Sequence, residues 1–99
     1  MANAIMIVTC SGGSYFDRDY YVDVHLPLVL ACWQRYGLES ASAFFPRDAE
    51  APDASIGIYK FRDEAAIHAA LTSPETETVM ADVPRFTDAD VSRVIGSPA

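Results

Sequence analysis

Residues 4–10, AIMIVTC, form an almost unbroken apolar run rich in β-branched side chains. A short run of this kind reads as a strand buried on both faces. Side chains alternate along a strand, so Ile5 and Ile7 point one way and Met6 and Val8 the other. Residues 55–61, SIGIYKF, make the same demand, with Ile56 and Ile58 opposed to Tyr59 and Phe61. A sheet with two apolar faces needs two covers. A chain of 99 residues is one domain, here read as spanning 1–99, and its core is modest.

The rest of the chain supplies one cover. Residues 17–36 read as a helix, with Asp17 as N-cap, Asp19 in the first turn and Gly37 just past the end. Tyr20, Val24, Leu28 and Cys32 make one i, i+4 stripe, and Tyr21, His25 and Val29 make its neighbour. Residues 40–47 read as a second strand, 48–54 as a turn, and 55–61 as the third strand. Asp63 caps a second helix kept slim by Ala66, Ala69 and Ala70. Ser73 and Pro74 restart it as N-cap and first residue, and it runs to about Ala81. Residues 82–86 are irregular, and 87–97 form a fourth strand with Val91, Arg93 and Ile95 on one side.

The order β-α-β-β-α-β, with right-handed crossovers, gives an α+β, ferredoxin-like plan: a four-stranded antiparallel sheet with both helices on one face. The other face stays open. The simplest cover for it is the same face of a second copy, a homodimer through the open sheet face that closes into a dimeric α+β barrel. The 51% apolar content and eleven aromatics fit a chain that buries surface against a partner.

Charge removes several functions. Fourteen acids against seven bases give a net charge of −7, which repels nucleic acid and an anionic membrane surface. No segment has the length and basic flank of a leader, and none approaches the roughly 20 apolar residues of a span. The expectation is a cytoplasmic protein, with Cys10 and Cys32 as reduced thiols. There is no glycine-rich nucleotide loop and no metal-ligand spacing, so the sequence reading assigns no cofactor and no metal.

One segment does not look like plain packing. FDRDYYVDVHLPLV, 16–29, sets two tyrosines, a histidine and a proline in an apolar helix. Pro27 has no N–H for the carbonyl of Asp23, so the helix should open near 23–25. That opening can turn His25 toward a cavity, with Tyr21 one turn before it. Histidine titrates near neutrality and suits proton transfer beside a carbonyl or phenol. The plain alternative is a hydrogen-bonded core histidine, with Tyr20, Tyr21 and Trp33 as core aromatics. A second segment, ADVPRFTD (81–88), ends a helix at Asp82 and Pro84. Asp82 is a candidate carboxylate partner that would fix the tautomer of His25 and raise its pKa. Phe86 is a candidate plug for the cavity mouth. The alternative is a helix stop with local capping by Thr87 and Asp88. Arg85 and Arg93 are free to pair with surface acids or with a ligand carboxylate, and His68 falls on an outer helix face.

These two segments, in this order and with ASAFFPR and APDASIGIYKFRD between them, resemble the EthD family of small dimeric α+β barrel proteins. The matched positions are Phe16, Asp17, Tyr20, Tyr21, His25, Pro27 and Leu28, then Ala81 to Asp88. The family is similar to cofactor-independent monooxygenases, polyketide cyclases and muconolactone isomerases of one superfamily. Its first member was found beside an ether-degrading oxygenase system. The resemblance implies a dimer and a ligand cavity between sheet and first helix. It implies a cofactor-independent isomerase, cyclase or monooxygenase-like enzyme on an apolar or aromatic oxygenated compound. Together with the reading of the residues, this makes His25 the candidate catalytic residue and Tyr20, Tyr21, Trp33, Asp82 and Phe86 the candidate ligand-binding set. The alternative is a non-catalytic accessory protein of ether or aromatic degradation.

Overall fold

The computed structural model describes residues 3–47 and 53–98. Strand β1 (Ala4–Ser11) leads into helix α1 (residues 18–33), followed by β2 (Leu38–Phe44), β3 (Asp53–Phe61), helices α2 (Glu64–Leu71) and α3 (Glu75–Asp82), and β4 (Asp90–Gly96). The strands form one antiparallel sheet in the order β2-β3-β1-β4, the ferredoxin-like arrangement expected from the element order. The turn expected over 48–54 lies mostly outside the described residues.

Alternation decides what each sheet face meets. Ala4, Met6 and Cys10 of β1 and Ser55, Tyr59 and Phe61 of β3 are buried beneath the helices. Ile5, Ile7, Ile56 and Ile58 lie on the opposite face and are only half-buried. Register adds Phe44, opposite Ile56, and Val94, opposite Ile7, to that second face, where they are 57% and 67% exposed. The two-sided apolar pattern is therefore real, and among the described residues no helix covers the second side.

Helix α1 shows what Pro27 does. A single α-turn (Arg18–Tyr20), capped by the Asp17 carboxylate on Tyr20 N–H, widens into a π-helical segment (Tyr21–His25) before regular α-helix resumes (Leu26–Trp33). The Leu26 N–H reaches back to the Tyr21 carbonyl, five residues away. A proline that gives no N–H to the preceding turn makes the wider ring acceptable. The wide turn leaves Val22, Asp23 and Val24 outside and brings Tyr21, His25 and Leu26 all inside. The buried stripe is thus Tyr21, His25, Val29 and Trp33, while Val24 is exposed. A 3-10 turn (Gln34–Tyr36) ends at Gly37, left-handed at φ 112°, as a C′ glycine should be.

Some boundaries differ from expectation. Strand β2 starts at Leu38, directly after Gly37, and stops at Phe44 rather than near Pro46. Strand β4 starts at Asp90 because Thr87 is used elsewhere, bridging Phe16. Pro74, not Ser73, is the N-cap of α3, since the Ser73 hydroxyl is spent on the Ala70 carbonyl. Asp63 caps α2 by accepting from Ala66 N–H, and His68 is exposed. Among the described residues no helix is long and apolar enough to cross a membrane.

Candidate functional site

The two segments singled out in the sequence are one unit in space. Backbone ties run from Asp17 N–H to the Phe86 carbonyl at 2.7 Å and across the Phe16–Thr87 bridge. The Thr87 hydroxyl donates to the Tyr15 carbonyl at 2.8 Å, and Asp88 accepts from the backbone and hydroxyl of Ser14. The 3-10 turn after α3 (Val83–Arg85) thereby delivers Asp82 and Phe86 under the π-turn of α1.

Asp82 is the hub. Its Oδ1 accepts from the Tyr20 hydroxyl at 2.6 Å, and its Oδ2 lies 2.9 Å from His25 Nδ1. Arg85 Nε stands 3.8 Å from Oδ1. Burial works against the carboxylate, but Tyr20, His25 and Arg85 together outweigh it and hold the Asp82 carboxyl below its usual range. His25 is 4% exposed. Burial lowers its pKa and outweighs the opposing pull of Asp82, so the partner is the expected one but the direction is reversed. The pair is a carboxylate and a neutral imidazole at neutral pH. Nδ1 carries the proton and donates to Asp82; Nε2 is the basic nitrogen. The imidazole stacks on Tyr21 at 5.5 Å between centroids and leans on Phe86 at 4.5 Å.

That imidazole borders a cavity of about 360 Å³ between the sheet and the helices. Tyr21, His25, Val29 and Trp33 of α1 form one wall. Leu71, Thr76, Val79 and Met80 form the second, and Met6, Val8, Cys10, Tyr59, Val91 and Arg93 the sheet floor, with Val83 and Phe86 completing the lining. Asp82 does not line it, and with Nδ1 given to Asp82 Nε2 is the nitrogen left for a ligand. Phe86 is 1% exposed, part of the inner wall and not a plug at the mouth. Tyr20 lies outside the lining and acts on Asp82 instead. Trp33 lines the cavity and is held by a 3.3 Å bond from its Nε1 to the Thr76 hydroxyl.

Sequence reasoning missed one polar feature of the cavity. The Tyr59 and Tyr21 hydroxyls meet at 3.2 Å. Burial pushes both pKa values up, that of Tyr59 far above the ordinary phenol range, so both stay protonated. A bond between two hydroxyls uses one proton and leaves the other for an acceptor. Ser55 Oγ is fully buried against this pair with no bond of normal geometry. Gly57 leaves the room: a Cβ there would sit 2.6 Å from the Tyr21 hydroxyl. The signal was present in β3, where 55, 57 and 59 share the face that the helices cover. The cavity thus joins a base, hydroxyl donors and dry apolar walls. Among the described residues, no group of three or more His, Cys, Asp or Glu could hold a metal ion.

Comparisons with known proteins agree with this architecture. A family model described as the EthD domain matches residues 16–90. An EthD-like protein from Ralstonia eutropha JMP134 superposes with a TM-score of 0.74 at 19% identity, over 97% of this chain and 92% of that one. An ethyl tert-butyl ether D family protein from Bacillus halodurans C-125 gives 0.76 at 14% identity, over 98% and 99%. SnoaB, a cofactor-independent oxygenase from Streptomyces nogalater, gives 0.63 at 11% identity, over 100% and 97%. At these identities the structures share the fold. No curated protein matches the sequence.

Proposed function

We propose that this chain, which belongs to the EthD family, is a cofactor-independent acid–base enzyme for an apolar or aromatic oxygenated small molecule, with His25 as the catalytic residue. One observation carries the reading: a neutral histidine, its Nδ1 held by Asp82 at 2.9 Å, lines an apolar cavity with its other nitrogen left for a ligand. A histidine used only for packing needs no cavity beside it. Nε2 takes a proton from carbon next to a carbonyl, or from a phenol. Asp82 then stabilises the imidazolium that forms. Negative charge gathers on the substrate oxygen, and the Tyr21–Tyr59 hydroxyl pair donates to it in a dry site where such bonds count for more. Tyr21, Trp33 and Phe86 shape the ligand surface, while Tyr20 and Asp82 act behind His25. Isomerisation, cyclisation and monooxygenase-like chemistry all begin with this proton removal. SnoaB, which shares the fold, is a cofactor-independent oxygenase.

The same reading includes a homodimer formed through the open face of Ile5, Ile7, Phe44, Ile56, Ile58 and Val94, because no helix among the described residues covers that apolar surface. Cys10 and Cys32 form no disulfide, which suits a reducing, cytoplasmic setting.

The test uses 2-tetralone, an enolisable aromatic ketone. Its α-proton exchange in D₂O is followed by NMR with and without protein. Exchange should exceed the buffer rate, and His25→Ala should remove about 10²–10⁴-fold of the acceleration while keeping binding. Binding without faster exchange in the wild-type protein would leave an accessory binding protein of a degradation pathway as the better account.

A further inference from the structure

We propose that Arg93 makes the mouth of this cavity a carboxylate-recognition site, so that the ligand is an apolar body bearing one acidic group. The inference rests on the reading that the cavity holds a ligand and adds the ligand's charge to it. Arg93 pairs with Val8 across β1–β4, which places it on the helix side of the sheet. It lines the cavity yet is exposed, as a group at a mouth must be.

Charge distribution singles it out. The chain has twice as many acids as bases, 14 against 7, but among the described residues no Asp or Glu lines the cavity. His25 is neutral for the reasons given above, so the lining carries a single positive charge. Four other arginines are engaged, and Arg47 does not line the cavity. Arg85 stands 3.8 Å from Asp82, Arg35 3.4 Å from Glu75 and Arg62 3.6 Å from Asp63, and Arg18 lies over the Phe45 ring. Arg93 has no ion pair among the described residues. Its stem lies between Val91 and Ile95, both exposed on the same side of the edge strand. This is how a long side chain covers apolar surface while its head stays in water.

The net charge of −7 does not prevent anion binding here. Screening confines exposed charges to about 8–10 Å at physiological salt, so the nearest group decides. A guanidinium offers two parallel donors matched to the two oxygens of a carboxylate. An acid docked at Arg93 lets the apolar body extend inward toward His25 and the tyrosine pair.

The test uses N-phenyl-1-naphthylamine, a neutral dye that brightens in apolar sites, displaced by 1-naphthoate or by 1-naphthamide. The competitors share one body and differ in charge. With wild-type protein, 1-naphthoate should compete better than 1-naphthamide, and added salt should narrow the gap. In Arg93→Gln, 1-naphthoate should lose about 5- to 10-fold in affinity, between the value of an exposed ion pair and that of a charge-assisted hydrogen bond. The amide should be unchanged. Lys60→Gln, on the open face opposite Ile5, should alter neither. Both substituted residues are exposed, and thermal melts confirm folding. Equal competition by acid and amide in the wild-type protein overturns the proposal and leaves the cavity reading intact. So does a loss of 1-naphthoate in Lys60→Gln but not in Arg93→Gln. Failure of the neutral dye to bind at all overturns both.

Discussion

Gly57→Ala probes the polar end of the cavity with the smallest possible change. The new Cβ would lie 2.6 Å from the Tyr21 hydroxyl, 2.9 Å from Tyr59 Cε2 and 3.1 Å from the Tyr59 hydroxyl. Ordinary carbon contacts are about 3.5–4.0 Å, so both tyrosines must retreat. Tyr21 is clamped by Phe86 at 4.9 Å, Phe16 at 5.4 Å and His25 at 5.5 Å between ring centroids. Overpacking of this kind costs about 1–3 kcal/mol, and loss of the tyrosine pair's hydrogen bond about 1 kcal/mol. Lower entropy of the unfolded chain returns about 0.4–1 kcal/mol. The cavity beside the rings gives them somewhere to go, which favours the lower half of the range. The net expectation is a loss of about 1–2 kcal/mol, or about 5–15 °C in Tm for a domain of this size. Gly96→Ala is the control, since its Cβ would meet nothing within 4 Å, and it should stay within about 0.5 kcal/mol of wild type. Thermal and urea unfolding of the two variants side by side make the measurement. If Gly57→Ala is as stable as Gly96→Ala, the tyrosine hydroxyls do not occupy the space over β3, and the donor role given to them fails with it.

Asp82→Asn removes the one charge that opposes burial at His25, so the His25 pKa should fall further below 6.5; an NMR titration of the imidazole that shows no fall would break the proposed pair. Acid should weaken the fold in two windows. The native pKa of His25 lies below 6.5, so the unfolded chain binds more protons between the two values and stability declines as pH drops below about 6.5. Asp82, held below 3.8 when folded, contributes stability present above that value and lost as pH falls through its lower native one. Urea midpoints at pH 7.5, 5 and 2.5 follow both steps, and a flat profile between the first two would contradict the His25 assignment. Ile58→Asp places a charge in the open sheet face and should convert a dimer to a monomer by light scattering; an unchanged dimer would put the interface elsewhere.

Most of the fold was legible because alternation and capping are local. The run at 4–10 and the pattern at 55–61 name both sheet faces, and Asp17, Gly37 and Asp63 act where they were expected to. Pro27 predicted an opening near 23–25, and the chain opens there as a π-turn. Strand and helix ends were less legible, since Thr87 and Ser73 spend their polar groups on distant or preceding backbone that no local rule reveals. The site divides in the same way. Residue type and spacing nominated His25 and Asp82, and register put Tyr59 on the helix side. Three matters needed the tertiary structure. The direction of the His25 shift is a contest between burial and Asp82, and burial is a property of everything packed around it. The tyrosine pair joins residues 38 apart in sequence, through space left by a glycine. The separate fates of Arg85 and Arg93 depend on which acids lie nearby, a distance that the sequence does not carry. The sequence determined which side chains share a face; only folding determined which faces meet, because contact between distant segments is set by how the whole chain packs.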